Sequence, residues 1–171
     1  MTRRHWMNLL RTWGLGAGAA TAAGSTSVAA PTAPAATPAR SDRVQLTEAE
    51  WRQRLNAAQF NVLREEGTER PHSSPLNAEK RAGTYQCAGC ALPLFSSSAK
   101  YESGTGWPSF HTPLPQALGL RTDYKLLLPR TEYHCARCGG HQGHVFSDGP
   151  RPSGQRYCNN GVALRFVAEA A

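Results

Sequence analysis

Five cysteines hold most of the chemistry available to this chain, and they divide four and one. Cys87-Ala88-Gly89-Cys90 and Cys135-Ala136-Arg137-Cys138 are two CxxC pairs set far apart along the chain. A tight CxxC turn presents two thiolates to one side, and two such turns facing each other supply tetrahedral sulfur ligation for zinc. Small residues follow each pair, Ala91 and then Gly139-Gly140, which leaves backbone N–H groups free to bond metal-bound sulfur. Three other uses of these residues stay open: two disulfides, one thioredoxin-like redox pair, or a local Cys2His2 site from Cys135, Cys138, His141 and His144. The first two leave the shared knuckle spacing unexplained. The third crowds four ligands into one short segment and idles Cys87 and Cys90.

Cys158 remains, in Arg156-Tyr157-Cys158-Asn159-Asn160. A lone cysteine is commonly a small buried hydrophobe, whereas a nucleophile needs a raised thiolate fraction. In an extended segment Arg156 and Asn160 share its side, so a guanidinium would favour the thiolate and an amide could bond a sulfur or a substrate oxygen. From these residues alone, both readings stand. Trp107 follows a Gly-Thr-Gly turn in Ser103-Gly104-Thr105-Gly106-Trp107-Pro108-Ser109-Phe110, where a large ring has either a binding role or a place in the core. Asp148 sits in an Asp-Gly-Pro segment that also reads as a plain turn.

The elements that would position these groups are short. Thr47 followed three residues later by Glu50 forms a capping box, with Leu46 and Trp51 placed as a hydrophobic staple, so a helix starts there. Gln59–Leu63 continues as a second helical piece with Gly67 as its stop. Beyond an extended loop come β-type runs at Gly83–Gln86, Tyr124–Leu128, Thr131–His134, His144–Phe146 and Val162–Phe166, punctuated by Gly, Pro and Ser. The expected domain, residues 42–171, is therefore a helical arm on a small antiparallel β scaffold whose modest core gains from a metal staple.

The net charge is +7, but the first forty residues hold four arginines and no acid; without them 15 basic residues face 12 acids, a net of +3. No basic stripe with interleaved aromatics remains, which excludes nucleic acid as the expected partner. Residues 1–29, with paired Arg3-Arg4, an apolar small-residue stretch and Ser27-Val28-Ala29, resemble a twin-arginine export signal. That leader predicts a periplasmic or otherwise exported protein, with a mitochondrial transit peptide as the rival. No run of about twenty uncharged apolar residues is present, so no membrane anchor is expected. Residues 30–41 are rich in Ala, Pro and Thr and read as a disordered linker.

Three long stretches taken together, GTERPHSSPLN, GTYQCAGCALPLFSSSAKYESGTGWPSF and TEYHCARCGGHQGHVFSDGPRPSGQRYCNN, resemble the methionine-R-sulfoxide reductase B family from about Leu46 to Phe166. The resemblance implies a mainly β fold of two small antiparallel sheets in a barrel-like arrangement, with short N-terminal helices. It implies Cys158 as nucleophile, Trp107 packed with Phe110 against the substrate, and His141 and His144 binding the sulfoxide oxygen through water and carrying protons. Arg156, Asp148 and Asn160 would orient these groups and bias the thiol toward its charged form. Cys87, Cys90, Cys135 and Cys138 would hold a structural zinc, with no organic cofactor. Many family members resolve the resulting sulfenic acid with a cysteine two residues before the tryptophan; here that position is Thr105. Regeneration by an external thiol, such as thioredoxin, is the expected route. The expected substrate is oxidised protein bearing methionine-R-sulfoxide, and the chain is expected to work as a monomer. A noncatalytic zinc-binding module and a cysteine-based thiol peroxidase are the rival readings.

Overall fold

The computed structural model describes residues 40–125 and 128–170. The expected leader, and all but the end of the expected linker, lie outside them. Two short helices lead the fold, α1 (Glu48–Arg54) and α2 (Ala57–Glu65). Both start on reciprocal capping boxes: Thr47 with Glu50, and Asn56 with Gln59. Each box satisfies two backbone N–H groups that the first turn leaves without helical partners. Leu46 packs against the core cluster that contains Trp51, in line with the staple. The expected stop at Gly67 is displaced by one residue. Glu66 takes the left-handed position at φ 56°, with its carboxylate bonded to Arg121 and Lys125. Gly67 serves close approach instead, since a Cβ there would run into the Asn61 side chain.

Nine strands follow among the described residues: β1 (Gly83–Cys87), β2 (Pro93–Ser96), β3 (Lys100–Tyr101), β4 (Ser109–Phe110), β5 (Leu118–Asp123), β6 (Arg130–Cys135), β7 (His141–Phe146), β8 (Arg156–Asn159) and β9 (Leu164–Ala168). They form two antiparallel sheets, ordered β2-β1-β9 and β3-β4-β8-β7-β6-β5, and no barrel closes among the described residues. Of the strand expected at Tyr124–Leu128, the described residues Tyr124, Lys125 and Leu128 lie outside any strand. β5 ends at Asp123, whose carboxylate accepts from the Lys125 N–H at 2.8 Å and turns the chain out of the sheet. Tyr124 and Leu128 are exposed, and residues 126 and 127 are outside the described set. β5 itself was hidden by Gly119 and Asp123, which dilute its apolar alternation.

The core lies between the sheets and under the helices. Phe95 stacks on Phe110 with centroids 4.1 Å apart, Tyr85 meets Phe110 edge-on, and Tyr133 meets Tyr157 at 5.5 Å. Fully burying such a ring contributes about 1.5–3 kcal/mol. This aromatic layer fixes β4, β6 and β8, the strands beside the lone cysteine. No helix among the described residues is long and apolar enough to cross a membrane.

Candidate active site and metal cluster

The two CxxC turns face each other and are built alike. Ala91 N–H bonds the Cys87 carbonyl at 2.8 Å, and Gly139 N–H bonds the Cys135 carbonyl at 2.9 Å. Both residues are left-handed, at φ 61° and 68°. All four cysteines are buried, and their sulfurs lie within 4.8 Å of one another. The Cys87–Cys138 and Cys90–Cys135 separations are 3.7 and 3.5 Å. Tetrahedral ligation with metal–sulfur bonds of about 2.3 Å needs sulfur–sulfur edges of about 3.8 Å, so this donor set fits a four-coordinate ion. Neither histidine of the local Cys2His2 alternative joins the cluster. Gln142 donates from Nε2 to Cys87 Sγ at 3.5 Å, and Arg64 and Arg137 cap the carbonyls of Cys138 and Cys90.

Cys158 stands in β8, between β4 and β7, with Ser109 and His144 as its register partners. It lines a pocket of about 140 Å³ together with Trp107, His144, Phe146, Arg130, Thr68, Asn159 and Asn160. Thr68, Arg130 and His144 also line an adjoining pocket of about 420 Å³ that reaches His141 and Glu132. The Trp107 ring is anchored by its Nε1–H to the Glu69 carbonyl at 3.1 Å. The turn before it needs Gly106, at φ 89°, because a Cβ there would strike His72 and Pro71.

His141 and His144 are three residues apart, a spacing that puts side chains on opposite faces of a regular strand. Here their rings approach to 5.4 Å between centroids. A β-bulge explains it: Tyr133 pairs with Gly143 and His134 with His141, so Gln142 is the extra residue. The bulge turns both histidines toward one side and leaves Gln142 buried against Cys87 and Asn159. Gly143 is required where β7 passes β8, since a Cβ would overlap the Cys158 carbonyl.

Acids hold both imidazoles. His141 Nδ1 lies 2.6 Å from Glu132, and His144 Nε2 lies 2.7 Å from Asp123. Burial works to raise the Glu132 carboxyl, but its bonds to His134 and His141 bring it down to about 2. Asp123 is held well below the usual range, first by the Lys125 N–H and also by His144 and Arg130. Burial pushes His144 below its ordinary value against the opposing pull of Asp123, which favours a neutral ring near pH 7. Glu132 and Asp123 were not singled out from sequence. The signal available was the hairpin itself: counting outward from the CARC turn sets Glu132 opposite the HQGH segment.

Arg156 is buried and bonds Asp148 at 2.8 and 3.0 Å, while its guanidinium lies 4.4 Å from the Phe146 ring centre. Burial raises the Cys158 thiol pKa, against the opposing pull of Arg156 and, more weakly, of Thr105. Arg156 thus pulls in the expected direction, against the burial that the sequence does not show. Asn160 lines the pocket, but its amide is already engaged: Nδ2 donates to the Gln142 carbonyl at 3.0 Å and Oδ1 accepts from the Glu69 N–H at 3.0 Å. It therefore positions the chain after Cys158. Glu69, not anticipated from sequence, completes this clamp by accepting from the N–H groups of Gly161 and Val162. Phe110 departs from expectation outright. Its ring is fully buried on Phe95 in the aromatic core and does not line the pocket, whose second aromatic wall is Phe146.

Comparison with known proteins adds an independent finding. A family model described as "SelR domain" matches residues 55–168. "Peptide methionine sulfoxide reductase MsrB" of Methanosarcina mazei is 47% identical over 75% of this chain and 92% of that protein. The proteins of the same name from Pseudomonas putida and Thiobacillus denitrificans are 50% and 51% identical, over 72% and 70% of this chain and 94% and 92% of theirs.

Proposed function

This chain belongs to the SelR family, as a peptide methionine sulfoxide reductase, and we propose that it reduces methionine-R-sulfoxide in oxidised proteins through a sulfenic acid on Cys158. The observation that carries this reading is the pocket itself. It joins one thiol, a neutral imidazole on the facing strand, and two aromatic walls around a volume suited to a methyl thioether head. Trp107 and Phe146 hold the apolar end of the substrate. His144 accepts the Cys158 proton as the sulfur attacks, then delivers it to the sulfoxide oxygen. Neutral His144 suits both roles, because it can take the proton and then return it. His141, oriented by Glu132, assists from the larger pocket.

The balance is simple. A sulfur–oxygen bond forms at Cys158 as the one in the sulfoxide breaks, so methionine gains two electrons and Cys158 loses two. Attack of an external thiol on the sulfenic acid releases water and leaves a mixed disulfide; a second external thiol frees Cys158. Thr105 cannot act as a resolving partner, and the four remaining cysteines lie in the sulfur cluster. A thioredoxin-like donor therefore fits this route. We assign zinc to the cluster: four thiolates leave no open coordination position, so the ion would serve as a staple for the β1 and β6 turns. The twin-arginine-like leader supports export of the folded, metal-loaded chain.

The test is to oxidise the enzyme with one equivalent of substrate and treat it with a sulfenic-acid reagent. Labelling of Cys158 supports the route; an intramolecular disulfide overturns it.

A further inference from the structure

A glutamine buried in a core is costly unless both ends of its amide are used. Gln142 is fully buried, and its side chain spans the space between the cysteine cluster and the strand that carries Cys158. At one end its Nε2 donates to Cys87 Sγ at 3.5 Å. At the other its Oε1 accepts from Asn159 Nδ2 at 3.3 Å. An apolar side chain of similar volume would fill this place without desolvating an amide. Packing alone thus gives no reason for the polar residue.

Asn159 is where this bridge meets the pocket. It too is fully buried, and its amide is fully engaged: Oδ1 accepts from the Tyr133 hydroxyl at 2.8 Å, and Nδ2 also donates to the Asn160 carbonyl at 2.8 Å. Its backbone N–H donates to the Pro108 carbonyl at 2.9 Å. Pro108 follows Trp107 and Asn159 follows Cys158, so one residue ties the strand carrying the sulfur to the turn carrying the ring. The Gln142 carbonyl adds a second hold, accepting from the Asn160 N–H at 2.8 Å and from Asn160 Nδ2 at 3.0 Å.

The direction of the bridge is set at its sulfur end. A thiolate bound to a cation can accept a hydrogen bond and has no proton to donate. The Gln142 NH2 group must therefore face Cys87, which leaves its oxygen facing Asn159. Asn159 must then turn its own NH2 group to Gln142 and its oxygen to Tyr133, whose hydroxyl donates. Every bond of the row points toward the sulfur, and aligned bonds of this kind polarise and strengthen one another.

We propose that Gln142 is a positioning residue that couples the thiolate cluster to the catalytic pocket, orienting Asn159 from the fixed charge at Cys87 and so holding Cys158 and Trp107 at their working separation. The proposal rests on the reading of Cys158 as the nucleophile and of the cluster as a metal site. The cluster then does more than staple two turns, because the placement of the Cys87 sulfur is transmitted to Cys158 through two amides.

The experiment exchanges the metal in the full chain, with and without the bridging amide. Cadmium has the charge of zinc and a larger radius, so it moves the Cys87 sulfur by a fraction of an ångström while keeping four thiolate ligands. In wild type the single-turnover rate on methionine-R-sulfoxide should fall about two- to threefold on exchange, since small displacements are costly to a reacting pair. Hydrogen exchange of the Asn159 and Asn160 N–H groups should quicken with it. In Gln142→Leu both responses to the metal should vanish. The rate of that variant with zinc should already lie about three- to tenfold below wild type, the equivalent of one net hydrogen bond. Cobalt substitution reads the sulfur end directly: loss of the N–H donor to Cys87 should move the sulfur-to-metal charge-transfer band of Gln142→Leu to lower energy. A merely structural Gln142 would lower stability and leave the response to the metal intact. Gln142→Met repeats the comparison where the leucine variant does not fold. A response to cadmium that persists in the folded variant, or that is missing in wild type, overturns the proposal. Hydrogen exchange and the cobalt band read the bridge whether or not Cys158 is the nucleophile, so failure here is distinguishable from failure of the catalytic reading.

Discussion

The knuckle sulfurs and the Cys158 sulfur are the same chemical group held in opposite ways. Each knuckle sulfur has other sulfurs as its neighbours, within 4.8 Å, in a buried cluster beneath α1 and α2. Cys158 lies at the wall of a pocket, with Arg156 two residues away on its own strand and His144 as its register partner on the next. Four mutually close thiolates are tolerable only around a cation, which makes the first region a structural element. A single thiol beside polar groups can change its bonding without dismantling the fold, which suits the second to chemistry. Gln142 links them: it donates to Cys87 Sγ and accepts from Asn159, the residue next to Cys158. The bulge that creates this link also gathers the two histidines.

The contrast can be broken most forcefully at the cluster. Removing the metal with a chelator, or replacing Cys135 by Ser, is expected to cost more than about 5 kcal/mol of stability and to abolish cooperative unfolding, as read by circular dichroism with metal content measured alongside. Cys158→Ser should do the reverse. Its melting curve should stay within about 1 kcal/mol of wild type, while turnover of the R-sulfoxide falls at least about a thousandfold. Equal effects of the two substitutions on stability would erase the distinction.

The pocket wall sharpens it further. Phe110→Ala should cost about 3–5 kcal/mol in denaturant unfolding, because the ring fills the core against Phe95 and Tyr85, and should leave KM of the folded fraction unchanged. Phe146→Ala should raise KM with little loss of stability. Glu132→Gln removes a buried charge that serves His141, His134 and Arg121, at an expected cost of about 3 kcal/mol. The sign with pH is definite. The Glu132 carboxyl is lowered on folding from 4.5 to about 2, so its contribution is present above pH 4.5 and is lost as pH falls toward 2. Unfolding across that acid range should be flatter in Glu132→Gln than in wild type.

Much of this was legible in the sequence because it is local. Capping boxes and CxxC turns are defined by residues a few positions apart and stand as read, and Trp107 and Cys158 come to line one pocket. What escaped depends on pairing between distant segments. Phe110 reads like its neighbour Trp107, but the β4–β8 pairing sends its ring into the core. Glu132 and Asp123 gain meaning only once β6 and β5 are set beside β7, and the histidine pair meets only because of a bulge. Arg156 pulls Cys158 toward the thiolate as its place two residues away suggests, but the burial that opposes it depends on strands distant in sequence. The Tyr124–Leu128 run misled because apolar residues can equally follow a strand end, here set by an aspartate turn.

The most direct measurement is a single turnover by the fully reduced, metal-loaded enzyme on methionine-R-sulfoxide with no added thiol. One methionine should form per chain, with one sulfenic acid on Cys158, the four knuckle thiols still metal-bound, and no reaction of the S epimer. Two methionines per chain, or a disulfide that draws a knuckle cysteine out of the cluster, would contradict the division between one reactive sulfur and four structural ones.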